Sequence, residues 1–183
     1  MLDAAVRDAH RALSGGALWL GALGYLIVVE AIGATVSRHP PTYPNRDTPT
    51  KTFMAGAREF APTPVSATEA RALYALRSSL AHSYNLRNYV KGKNPPFYRF
   101  ALDETGPLIH LAVPPWDGST RPTPFYDTVE RKKFTTAVNV LEIGRYVEDL
   151  VANVRAERAA GRAIRWHDVN ADDLMAFGQY YVD

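Results

Sequence analysis

The sequence predicts a mainly helical protein of one domain, with a small β-hairpin inserted before its last long helix. Apolar residues recur at spacings of three and four in several separate segments, which is the mark of helices with a buried face. One segment, "FYRFALDETGPLIHLAVPPW", changes period: short runs rich in Phe, Tyr, Leu, Ile and Val flank "DETG", as in a hairpin over about 97–113. The chain has 183 residues, 46% of them hydrophobic and 22% charged. That suits a single domain spanning 1–183, large enough to bury about 70% of its unfolded surface without covalent staples. There is no cysteine, so disulfides, thiolate metal sites and cysteine nucleophiles are excluded.

The first element is a short amphipathic helix from Asp3 to Leu13, with Asp3 as N-cap and a kink expected at Gly15 and Gly16. "ALWLGALGYLIVVEAIGATV", Ala17 to Val36, follows and is about as long as a bilayer is thick. Glu30 interrupts it, glycines dilute it, and its flanks lack the one-sided Lys/Arg signal of a membrane span. Asp3 and Asp8 spoil the basic region that a signal peptide needs. Leu18, Ala22, Tyr25, Val29, Ile32 and Val36 line one face while Trp19, Leu23, Leu26 and Ile27 make other faces apolar. The expectation is a core or dimer-interface helix in a cytoplasmic protein with no membrane partner, and a membrane-associated helical protein is the reading that rests on this segment alone.

"SRHPPTYPNRDTPT" reads as a surface connection, and a short helix spans about Lys51 to Phe60. "SATE", Ser66 to Glu69, is a capping box opening a helix that carries Leu73, Leu76 and Leu80 and is expected to run to about Asn88. Beyond the hairpin, the pattern predicts a long helix from about Asp127 to Ala160, with Val140, Ile143, Val147, Leu150 and Val154 as its core stripe and Gly161 at its end. "NADDLMAFGQYY" predicts a last short helix over about 171–181, capped by Asn170.

The chemistry-bearing stretch is "RSSLAHSY" on the capped helix. Arg77 is followed by Ser78, then by His82 after five positions and Tyr84 after seven. Arg-x4-His alone is a common spacing, and Arg162 to His167 repeats it at a helix end without the tyrosine; that second match is incidental. From Ala70 to Leu102 the chain has six Lys/Arg residues and no Asp or Glu, although its net charge is only +2. Anionic partners are therefore expected at this stretch. At 100° per residue His82 projects about 140° from Arg77, so one straight helix does not bring the two together. Two copies facing across a two-fold axis, or a break near Ala81, would do so.

"RSSLAHSY" resembles the R-x4-6-H signature of HEPN domains, in particular the R-x4-H-x-Y form of the toxins in MNT–HEPN toxin–antitoxin pairs. The likeness is sharp over about eight residues. The hairpin lies outside the minimal family core, and Ser78 stands where the family often has Asn or Asp. The resemblance implies a HEPN-like helical bundle, a homodimer, and metal-independent cleavage of RNA by attack of a 2′-hydroxyl, in a toxin, stress or defence setting. A nucleotidyltransferase-type antitoxin would be the cognate partner. His82 would serve as general base or acid, and Arg77 would grip the scissile phosphate. Ser78 would orient the phosphate, and Tyr84 would support it or accept a partner-installed modification. No cofactor or metal is implied. A non-catalytic helical module binding RNA or a protein is the alternative expectation.

Basic groups at Arg71, Arg87, Lys91, Lys93 and Arg99 alternate with Tyr89, Phe97, Tyr98 and Phe100, a mixture that suits single-stranded RNA. Alternating rings equally fit the buried face of a strand. His167, Asp168, Asp172 and Asp173 form a metal-like grouping, read more simply as acids at a helix N-terminus capped by Asn170.

Overall fold

The computed structural model of the protein describes residues 2–37, 49–83, 86–88, 97–116, 134–161 and 165–166. Among them are five helices: α1 (Leu2–Ser14), α2 (Leu18–Thr35), α3 (Pro49–Glu59), α4 (Ala67–Ser83) and α5 (Val140–Ala159). The strands are β1 (Val36–Ser37), β2 (Arg87–Asn88), β3 (Tyr98–Leu102), β4 (Ile109–His110), β5 (Thr136–Val138) and β6 (Arg165–Trp166).

The apolar helix α2 is the axis of the bundle, with α1, α3, α4 and α5 all packed against it. Ala22, Tyr25, Leu26, Val28, Val29 and Ile32 are buried, which accounts for a helix apolar on most faces. Leu20 and Ile27 are the exceptions on its exposed side. No described helix is long and apolar enough to cross a membrane. The glycines of α2 are contact points. A Cβ on Gly33 would lie 1.9 Å from the Thr52 carbonyl oxygen, and one on Gly56 would lie 2.1 Å from that of Val29. The backbones of α2 and α3 therefore touch where these two residues meet.

The other helices are tied by side chains to chain ends and loops. In the capping box of α4, the Ser66 amide donates to Glu69 Oε2 (2.7 Å) and the Glu69 amide donates to Ser66 Oγ (3.2 Å). Two side chains of α5 close the end of α3: Tyr146 Oη donates to the Ala57 carbonyl, and Asn153 Nδ2 to that of Phe60 (3.0 Å). The α1 helix is joined to α5 by the Asp3–Arg155 ion pair and by a contact of 3.4 Å between His10 Nδ1 and Glu148 Oε1. Tyr25 Oη, from α2, donates to the same Glu148 (2.6 Å).

The β region departs from the expected hairpin. The sheet order is β2-β3-β5-β4, with β5 parallel to β3 and antiparallel to β4. The two runs around "DETG" are strands, but Thr136–Val138 lies between them. Asp103 turns the chain by accepting the Thr105 and Gly106 amides, and Asn139 Nδ2 fixes that loop by donating to the Gly106 carbonyl (2.8 Å). The last long helix consequently starts at Val140. Asn139 Oδ1 caps it by accepting from the Leu141 and Glu142 amides. The described part of the motif helix ends at Ser83, and Arg87–Asn88 is a strand paired with β3 instead of a helix end. A second, two-stranded sheet joins β1 and β6. The expected helix over 171–181 and the grouping from His167 to Asp173 lie outside the described residues. No group of three potential metal ligands occurs among the described residues.

Candidate functional site

Helix α4 buries far more of its surface than a narrow leucine stripe. Ala70, Ala72, Leu73, Ala75, Leu76 and Leu80 all join the core. Arg77 lies among them, 7% exposed, and its Nη2 contacts Glu30 Oε2 of α2 at 2.6 Å. Both side chains are almost fully enclosed, at 9% and 11% exposure. The single charge that interrupts the apolar helix is therefore the counter-ion of the motif arginine. Glu30 was visible in the sequence only as an interruption. A lone carboxylate inside an otherwise apolar helix is itself the signal of a buried cationic partner, since an unpaired buried charge is prohibitively costly. Arg77 Nε is buried without a hydrogen-bond partner among the described residues.

His82 is exposed in the last turn of α4, while Ser78 is half-buried. Arg77 is turned inward and His82 outward, in keeping with their angular separation around the helix. One chain does not gather them into one site. Tyr84 lies outside the described residues, as do Lys91 and Lys93.

Two of the three described arginines expected to meet RNA are paired in the fold. Arg87 and Arg99 are direct cross-strand partners on the antiparallel β2–β3 ribbon. Residues so paired share one face, and like charges there repel. Arg99 is held with its guanidinium 5.4 Å from the centroid of the Trp116 ring, a cation–π contact. Arg71 is exposed near the start of α4, close enough for its charge to act on the Tyr98 hydroxyl. The ribbon is anchored to the motif helix by Asn88 Nδ2, which donates to the Ala75 carbonyl (3.0 Å).

Strand alternation sorts the aromatic residues into two sets. Tyr98 and Phe100 point into the core, stack on each other with centroids 5.7 Å apart, and are not available to a ligand. Burial raises the Tyr98 pKa above its ordinary value, and its hydroxyl has no hydrogen-bond partner among the described residues. Phe97 and Arg99 occupy the opposite face, where Phe97 meets Trp116 edge-on at 6.3 Å. Trp116 is 4% exposed yet stands outside the main core cluster. Nothing in the local sequence "VPPWDG" marked it for this position. No family model, curated protein or solved structure matches the chain.

Proposed function

We propose that this chain is a HEPN-like helical module that binds RNA through Arg71, Arg87 and Arg99 and does not cleave it. The observation that carries the binding reading is the register of the β2–β3 ribbon, which sets Arg87 opposite Arg99 on one face. Two guanidinium groups on one face of a ribbon suit the phosphates of one strand. Lys91 and Lys93, in the segment joining the two strands, extend the same basic run in the sequence. The absence of cleavage follows from Arg77. Its guanidinium already has a carboxylate partner and is enclosed, so it is not available to grip a scissile phosphate.

The endoribonuclease reading is favoured by one observation, the exposure of His82 at the end of the motif helix. It requires Arg77 to exchange Glu30 for phosphate, and a second copy of the chain to bring arginine and histidine together. A toxin or defence setting with a nucleotidyltransferase-type antitoxin belongs to that reading alone. Incubation of single-stranded RNA with the protein in EDTA separates the two. Bound but intact RNA is the expected result. Products with 2′,3′-cyclic phosphate ends, abolished by His82→Ala, would overturn the binding-only reading and establish cleavage.

A further inference from the structure

We infer that the row Arg71, Ser78 and His82 on α4 is the track along which an RNA strand lies, and that His82 joins it only when protonated; this deepens, and rests on, the RNA-binding reading above. Ser78 and His82 stand seven and eleven residues beyond Arg71. At 100° per residue both project within about 20° of its direction. Arg77 points about 120° away from that row, and it is the one turned into the core. Arg71 and His82 are exposed and Ser78 is half-buried, so the described helices and strands packed on α4 leave both ends of the row uncovered. None of the three has a hydrogen bond or an ion pair among the described residues.

The row is about 16 Å long, the length of about five stacked nucleotides of one strand. A planar guanidinium at one end takes a phosphate in two parallel hydrogen bonds, and the Ser78 hydroxyl can donate to another. The imidazole at the other end is a phosphate ligand of a different kind. Neutral, it brings no charge to a phosphate; protonated, it donates from both ring nitrogens and adds a positive charge. Imidazoles make that change between about pH 8 and pH 5. The charged groups on the elements packed against α4 are Glu30, Lys51, Arg58, Glu59, Arg87 and Arg99. Glu30 is engaged by Arg77, and no described carboxylate pairs with His82. The negative charge that meets a protonated His82 is therefore left for a ligand to supply.

The test measures equilibrium binding of a rhodamine-labelled oligouridine of about ten nucleotides, at about pH 5.5 and about pH 7.5, over a series of salt concentrations. Neither uridine nor the phosphodiester titrates in that window. Wild type should bind about 2- to 5-fold more tightly at the lower pH, with a salt slope steeper by about 0.7. His82→Gln keeps hydrogen-bonding capacity but cannot take up a proton. It should lose both differences and bind as wild type does at the higher pH. Arg71→Ala should weaken binding at both pH values and keep the pH difference. If His82→Gln keeps the full pH difference, or wild type shows none, the track through His82 fails. Weaker binding by Arg71→Ala would then leave the RNA-binding reading standing. Equal loss at both pH values in His82→Gln, with a lowered melting temperature, would assign His82 a structural role and also overturn the inference. If wild type binds at neither pH, both readings fall.

Discussion

Arg77 is the residue on which the structural and functional accounts of the motif diverge. Removing one partner from a buried ion pair leaves the other charge uncompensated, at a cost of about 3–5 kcal/mol. Arg77→Ala and Glu30→Ala are each expected to destabilise the fold by that amount in urea unfolding. The double substitution Glu30→Leu/Arg77→Met removes both charges and should cost much less than either alanine variant. His82→Ala, at an exposed position, should stay within about 0.5 kcal/mol of wild type. Loss of any activity in Arg77→Ala therefore says little by itself about phosphate contact. His82 is the cleaner probe of cleavage. Tyr146 gives a second test at this scale. Burial pushes its pKa up to about 12, so the folded state holds its proton after the unfolded state has released it. Stability from this group is complete below the ordinary tyrosine range near pH 10 and falls as pH rises towards 12. Tyr146→Phe should flatten that decline, and a decline of equal steepness in the variant would contradict the assignment.

At the scale of elements, the contact between α2 and α3 is set by backbone rather than by side chains. Gly33→Ala forces a methyl group into the Thr52 carbonyl, and neither backbone can yield as a flexible side chain would. Overpacking of this kind costs about 1–3 kcal/mol or more, read as a fall in the urea midpoint. Asn139 joins two elements, capping α5 and holding the Gly106 turn, and it is 4% exposed. Asn139→Ala should cost at least the 1–2 kcal/mol typical of a lost cap, with a midpoint shift below that range counting against the dual role. The helices were legible in the sequence because their signals are local. The box from Ser66 to Glu69 and the stripe from Val140 to Val154 both predict what is found. The sheet was not legible in the same way. "TTAV" has no strand signal strong enough to separate it from the helix that follows, and its insertion between β3 and β4 depends on pairing with residues far away in the chain. The motif shared this division: the outward direction of His82 followed from helix geometry, while the engagement of Arg77 depended on a carboxylate 47 positions earlier, on another helix.

At the scale of the whole molecule, charge is distributed by depth. The one cation of the motif helix that lies in the core is neutralised there by Glu30. Arg71 on α4 and Arg87 on the ribbon that Asn88 ties to α4 are both exposed. In a molecule with a net charge of only +2, the proposed attraction of RNA depends on local basic groups such as these. The most direct measurement of this account is fluorescence anisotropy of labelled single-stranded RNA titrated with wild type and with Arg71→Ala/Arg87→Ala over a series of salt concentrations. Both positions are exposed, so the fold should be retained. Each phosphate contact contributes about 0.7 to the slope of log affinity against log salt. The account predicts weaker binding by the double variant and a slope shallower by about 1.4. Equal affinity and equal slope in the two proteins would contradict it.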